Sequence, residues 1–320
     1  HNCISEIKIT DNYKIVINQK TTQNFSIFNT DYFLGLHKNK YLSVYNFSLV
    51  KNKSLESVGI FHIAEKENGD FVNPCNGSYG NFEFSKRVPF EIKEKFILQI
   101  LDLIKKSKEI SITMSPNIYA QENNSEILNI LIRNKFRIEK IEVNQFIDLK
   151  NYSYDRDMSY GNKKRVKKCE NNKIKFQKLE EKEYNLAYKI IAANRKRRGF
   201  PLTMKWESMI EMVETFKDKM HFFGLKNERS YIASAICINV LSDVLYVFYW
   251  GEIDGLENLS PIAYLSKNLV EYASKENYRI LDIGISSENS IPNIGLLNFK
   301  KNIGCISCNK FYLKKNFKDL

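Results

Sequence analysis

The chain has 320 residues, 43% of them hydrophobic, which is enough for a large packed core and excludes a globally disordered protein. Its net charge of +12 points to polyanionic partners: nucleic acid, phosphorylated or nucleotide-linked substrates, or an acidic membrane face. No apolar run reaches the ~18 residues that cross a bilayer, and no signal peptide is visible, although the first residue is His1 rather than Met.

In the N-terminal half, "YLSVYNFSLV" and "VGIFHIAE" alternate as strands do. A polar, glycine-rich segment follows, "ENGDFVNPCNGSYGNFEF". The stretch "PFEIKEKFILQILDLIKKSK" places Phe96, Ile97, Ile100, Leu101 and Ile104 on one helical stripe. Next come a strand, "EISITMS", a helix, "SEILNILIRNKF", and a strand, "IEKIEVNQFIDL". The basic segment "KNYSYDRDMSYGNKKRVKKCENNKIKF" reads as the crossover between two domains, with 157–169 as a helix or a basic loop. Beyond it, "LEEKEYNLAYKIIAANRKRRG" is a helix closed by a basic cluster and a glycine. "MKWESMIEMVETF" is a second helix. Three antiparallel strands follow, "MHFFGLKN", "YIASAICINV" and "VLYVFYWG". The strongest amphipathic pattern is "ENLSPIAYLSKNLVEYASKENY". "RILDIGIS" and "CNKFYLKKN" are the last strands. Each half thus mixes helices with antiparallel strands, which predicts an α+β chain with mixed sheets, divided into domains 1–155 and 156–320.

Several residues stand out chemically. The turn "GEIDGLENLSP" opens the helix from about Asn258, whose free N–H groups would suit an anion. Glu252, Asp254 and Glu257 oppose a pyrophosphate there, and nothing basic neighbours them in sequence. The alternative is a plain helix start with Pro261 in its first turn. Asp282 interrupts an apolar strand, so it either faces a cleft or holds a backbone turn. Asn293 reads as the cap of a short helix anchored by Ile294, Leu297 and Ile303, with Lys300 near its C-terminus. Lys300 either complements that helix end or neutralises a substrate phosphate or tetrahedral intermediate. In "NPCNGSYGNFEF", Ser78, Tyr79 and Gly80 form a ligand-binding loop or a tight turn between strands. Two basic clusters, "NKKRVKK" and "NRKRR", favour a phosphate-rich ligand or a solvated face. No metal site is expected. Cys305 and Cys308 form a lone pair without further ligands, and the scattered cysteines fit a reducing cytoplasm. No Ser–His–Asp set, Walker loop or dinucleotide fingerprint is present.

These residues carry a resemblance. "LDIGISSEN…NIGLLNFKKNIG" resembles a D-x-G-x-S…N-x-G-L-x-x-F-K-x-x-x-G segment through Asp282, Gly284, Ser286, Asn293, Gly295, Leu296, Phe299, Lys300 and Gly304. With "NRKRRGFPL", "KWESMIEMVETF" and the meander through "YVFYWG", it is similar to GNAT-like acyltransferases, in particular the Fem-type peptidyltransferases and the acyltransferase-like proteins of surface-polysaccharide gene clusters. "NPCNGSYGNF" resembles a cleft segment of that family, with Asn81 where a second glycine is common, and "GNKKRVKK" resembles the entry to its second domain. The resemblance runs from about residue 30 to 315.

It implies tandem GNAT-like domains and transfer of an acyl or aminoacyl group to an amine of a nucleotide- or lipid-linked cell-envelope precursor, peptidoglycan or surface polysaccharide. No permanently bound cofactor is implied. Acyl-CoA or aminoacyl-tRNA would be the donor, and a phosphorylated or nucleotide-linked small molecule the acceptor. Contact with tRNA or with an acidic membrane face stays open. "GEIDGLENLSP" lacks the basic glycine-rich loop with which GNAT proteins hold the CoA pyrophosphate, which counts against conventional CoA binding. In this reading Asp282, or Glu252 through water, takes the proton, and Tyr249 or Tyr79 acts as general acid. Ser78, Tyr79, Gly80, Ser286, Asn293 and Lys300 would contact substrate. Two other classes fit the same sequence: a basic RNA-binding protein, and a catalytically inactive GNAT-like scaffold in envelope assembly.

Overall fold

A computed structural model describes residues 5–21 and 24–319, so His1 and Cys3 lie outside the described residues. The chain separates into two compact units, His1–Glu142 with Asn309–Leu320, and Val143–Cys308. The division expected at 155/156 falls instead at 142/143, and the last dozen residues return to the first unit. The boundary lies inside a strand, where neither composition nor a linker marks it.

The first unit holds β1 (Glu6–Lys8), β2 (Tyr13–Ile17), α1 (Asp31–His37), β3 (Ser43–Lys51), β4 (Ser57–Glu65), β5 (Phe71–Asn73), β6 (Glu83–Phe84), α2 (Phe90–Leu103), β7 (Glu109–Thr113) and α3 (Gln121–Arg133). β8 (Arg137–Asp148) then leads into the second unit. There follow α4 (Tyr154–Asp157), α5 (Tyr160–Asn171), β9 (Lys175–Lys178), α6 (Tyr184–Arg197), α7 (Trp206–Thr215), β10 (Met220–Lys226), β11 (Tyr231–Leu241), β12 (Val244–Glu252), α8 (Ile262–Lys275), β13 (Ile280–Ile285), the small hairpin β14 (Ser287–Glu288) and β15 (Ile291–Pro292), and α9 (Ile294–Asn302). β16 (Ile306–Asn316) carries the chain back to the first unit.

Strands of the first unit run β1-β2-β3-β4-β5-β7-β16, with β6 beside β4. Those of the second run β8-β13-β12-β11-β10-β9. Each order contains a parallel pair, β5 with β7 and β12 with β13. Each of those pairs is bridged by an amphipathic helix, α2 or α8, as a parallel connection requires. The duplicated mixed α/β layout read from the sequence is therefore present.

The helices form where the apolar stripes place them. α2 buries Phe96, Ile97, Ile100 and Leu101 against β3, β4 and β7, and Ile104 beyond its end is buried with them. Full burial of such side chains stabilises the unit by about 2 kcal/mol each. α8 buries Ala263, Leu265, Leu269, Val270 and Ala273 against the second sheet. It starts at Ile262, four residues later than expected, because the chain first turns through Ser260 at φ 44°. Gly199, at φ 82°, ends α6 as predicted, and 157–169 is largely helical rather than loop.

Candidate functional site

In the second unit β12 and β13 pair only from Val244–Ile280 to Tyr246–Asp282. Beyond that point they diverge. β12 stays with β11 as far as Glu252, while β13 stays with β8 as far as Ile285. Both arms carry a bulge just past the divergence. Phe248 is the extra residue in β12, since Val247 faces Cys237 and Tyr249 faces Ile236. Ile283 is the extra residue in β13, since Asp282 faces Phe146 and Gly284 faces Gln145. Bulges bend strands and turn backbone groups out of the ladder. The result is a notch whose inner edges have no partner strand among the described residues and whose base lies at Tyr246 and Asp282.

The β13 arm is held open by internal bonds. Gly284 adopts φ 86°, and its N–H donates to Asp282 Oδ1 at 3.0 Å. Asn144 Nδ2 donates to the same oxygen at 2.7 Å. Asp282 is thus the holder of a backbone turn, the second of its two expected roles. Lys300 Nζ donates to the carbonyls of Gly284 and Ile285 at 3.2 and 3.0 Å. It is buried, with burial pulling it down to about 8 while Cys305 and Asp282 pull it up. Ser286 Oγ donates to Gln145 Oε1, and Gln145 Nε2 donates to the Leu297 carbonyl at 3.0 Å. Asn293 caps α9, accepting from the Leu296 N–H at 3.1 Å. Ile294, expected to anchor α9, is exposed. The residue of that helix that reaches the interior is Lys300, so a cation read from sequence as an end-capping charge is the helix's main inward anchor.

Tyr249 and Glu252 stand elsewhere. The bulge at Phe248 switches the faces of β12, so Tyr249 and Gly251 turn toward α6. The Arg195 guanidinium sits 5.4 Å from the Tyr249 ring centre. Burial raises the Tyr249 phenol, with Arg195 opposing. Burial also raises Glu252, with Arg198 opposing, and its Oε2 has no hydrogen-bond partner. Asp282 is level with Tyr246, whereas Glu252 lies six residues further along β12, about 20 Å in an extended strand. The three residues read as catalytic therefore do not converge. The turn after β12 also differs from its sequence reading. Arg197 donates to the Glu252 carbonyl at 2.7 Å and pairs with Asp254 at 3.8 Å, and Lys168 donates to the Asn258 carbonyl at 2.6 Å. Folding brings to this acidic turn the basic residues that its sequence neighbours lack.

In the first unit, residues 73–82 form a tightly bonded loop. Tyr79 is buried and its hydroxyl accepts from Ser26 Oγ at 2.7 Å. Lys310 Nζ donates to the Ser78 carbonyl at 2.8 Å. Gly80 passes so close to Asn73 that a methyl group would lie 2.0 Å from Asn73 Oδ1. That oxygen accepts from the Asn81 N–H, and Asn81 Nδ2 donates to Asn124 Oδ1. Asn81, in place of a glycine, thus joins a buried polar network. Sequence reasoning missed Asn144, Gln145, Asn73 and Asn124, which read as ordinary polar positions of strands, loops or helices.

No family model matches the chain, and no curated protein does. Solved structures do. FemX matches with a TM-score of 0.67 at 11% identity, over 92% of this chain and 93% of that one. The chain shares the fold of FemX. Two further solved structures are similar in fold. L-PGS from Bacillus licheniformis matches at TM-score 0.59 and 12% identity, over 82% of this chain and 83% of that one. A conserved protein of unknown function from Bacteroides thetaiotaomicron matches at 0.59 and 10%, over 92% and 93%. No helix among the described residues is long and apolar enough to cross a membrane.

Proposed function

We propose that the protein is an acyl- or aminoacyltransferase acting on an amine of a nucleotide- or lipid-linked cell-envelope precursor, with the reaction at the β12–β13 notch. The observation that carries this reading is the divergence of the two strands just past Tyr246 and Asp282, with a bulge on each arm. Past Tyr246 the backbone of β12 no longer pairs with β13, and its N–H groups on that side would serve as donors for the carbonyl oxygen of an acyl group, where charge develops as the amine attacks. Holding both substrates in one notch removes much of the entropic barrier. Asp282 and Asn144 fix the Gly284 turn that shapes one wall. Lys300 places a cation behind the Gly284 and Ile285 carbonyls and steadies the negative charge of the intermediate or of a substrate phosphate. Tyr249 and Glu252, at the far end of β12 among Arg195, Arg197 and Arg198, meet the acceptor rather than the reacting carbonyl. The likeness to FemX and L-PGS favours an aminoacyl donor in the cytoplasm over acetyl-CoA.

The test supplies labelled acetyl-CoA or labelled aminoacyl-tRNA with UDP-linked peptides and sugars. Transfer from one donor, with kcat lowered about 100-fold in Lys300→Met and no comparable change in KM, is the expected result. A second reading, an inactive envelope scaffold, draws on the same segment, because Asp282, Ser286 and Asn293 all make internal bonds. No transfer and no thermal shift with any donor or acceptor would favour it.

A further inference from the structure

The tip between α6 and α7, residues 199–205, takes no part in the transfer chemistry above. It lies in a segment of one charge sign. Residues 185–206 hold six cations, Lys189, Arg195, Lys196, Arg197, Arg198 and Lys205, and no carboxylate. They carry half of the net charge of +12. On α6, Leu186, Lys189, Ala193, Lys196 and Arg197 are exposed and recur at helical spacing, so they share one solvent face. Just past the end of that helix, Phe200 is 63% exposed, and Pro201 beside it is exposed too.

A single exposed aromatic is ordinary on a protein surface. What sets Phe200 apart is its setting. Gly199 turns the chain at φ 82°. The Phe200 N–H donates to the Arg195 carbonyl at 2.9 Å, and Arg195 Nε donates back to the Phe200 carbonyl at 3.0 Å. Further along, the Tyr188 hydroxyl of α6 donates to the Met204 carbonyl at 2.8 Å, and the Tyr188 and Trp206 ring centres lie 5.3 Å apart. The tip is thus tied to α6 on both sides while its apolar side chain stays in water. Its cations are also largely uncommitted. Among the described residues, only Arg197 of the six pairs with a carboxylate, Asp254 at 3.8 Å.

We infer that this tip docks the second unit on an anionic lipid bilayer. Phe200 enters the boundary between headgroups and acyl chains, and Lys189, Lys196 and Lys205 meet the lipid phosphates. Neither part suffices alone. A small apolar insertion holds weakly and reversibly, and the pull of an anionic surface on a few cations fades within a Debye length. Together they make the two-signal anchor that peripheral binding needs. The same cations would also attract nucleic acid, but the apolar part fits it poorly. An aromatic that stacks a nucleobase offers one face and lines a groove that tracks the backbone. Phe200 is exposed beyond one face, and Pro201 and Leu202 follow it with no hydrogen-bonding side chain. Preorganisation by the Arg195 bonds lowers the ordering cost of insertion.

The experiment sediments the full chain with vesicles of phosphatidylcholine, with and without about 30% phosphatidylglycerol. The expected result is binding to the anionic vesicles only, weakened by salt. Phe200→Ser should weaken it about tenfold, since the lost apolar burial is that of one large side chain. Lys189→Gln combined with Lys196→Gln should weaken it about 20-fold, since each cation near such a surface contributes about fivefold. In Phe200→Trp, the new indole should shift to the blue on anionic vesicles and be quenched by brominated acyl chains. Failure to bind anionic vesicles would overturn the inference, as would equal binding to neutral ones. So would binding that Phe200→Ser leaves unchanged with no blue shift in Phe200→Trp, which is charge adsorption alone. Retention of tRNA without any vesicle binding would assign the cations to RNA instead. No donor or acceptor is present in these measurements, so their outcome stands apart from that of the transfer assay.

Discussion

A methyl group on Gly80 would collide with Asn73, whose amide also bonds the His62 carbonyl and the Asn81 N–H. Gly80→Ala should therefore cost about 3 kcal/mol or more in urea unfolding, the range of a disrupted buried network. Lys300→Met leaves the Gly284 and Ile285 carbonyls without their donor, at about 1–3 kcal/mol. Its pH dependence has a definite sign. Lys300 is pulled down to about 8 by burial, so the unfolded chain binds more protons between that value and the usual lysine range. Stability should rise with pH across that window in the parent chain, and the rise should be smaller in Lys300→Met. Asp282 was legible because a carboxylate in an apolar strand needs a partner. Its partner Asn144 was not, since an asparagine in an alternating strand reads as solvent-facing. Lys300 stood out from the sequence, but its inward direction did not, because a nine-residue helix with apolar residues on several sides does not declare which face is inward.

At the scale of elements, helices with clean stripes, α2, α3 and α8, were readable from spacing alone. The meander β10–β12 was readable from alternation and turn residues. What spacing could not give was the pair of bulges that opens the notch. One extra residue in a strand leaves composition unchanged, yet it moves Tyr249 and Gly251 to the α6 side. The cap of α9 offers a clean test of the adjoining segment. Asn293→Ala removes the bond to the Leu296 N–H and should cost about 1 kcal/mol, seen as faster amide exchange at Leu296 and a lower Tm. Unchanged exchange there would mean that the α9 start is held by its neighbours and not by its cap.

For the molecule as a whole, the tandem layout was visible in the repeated order of elements, but its boundary was not. The segment β8 supplies Asn144, Gln145 and the edge next to β13, so a fragment of residues 156–308 lacks one wall support of the notch. A fragment of residues 143–308 retains it. The longer fragment should unfold cooperatively in urea and the shorter should not, because β13 loses a complete antiparallel neighbour. Equal cooperativity would show that β8 is dispensable to the second unit.

The return of β16 to the first unit has a practical corollary. A protease that nicks the exposed turn near Gly255 leaves two pieces, and each contributes strands to both units: the upstream piece supplies β12 and β7, the downstream piece β13 and β16. Neither piece can leave without stripping sheet from both halves. Clipped material would therefore migrate as intact protein on a sizing column and reveal its damage only on a denaturing gel.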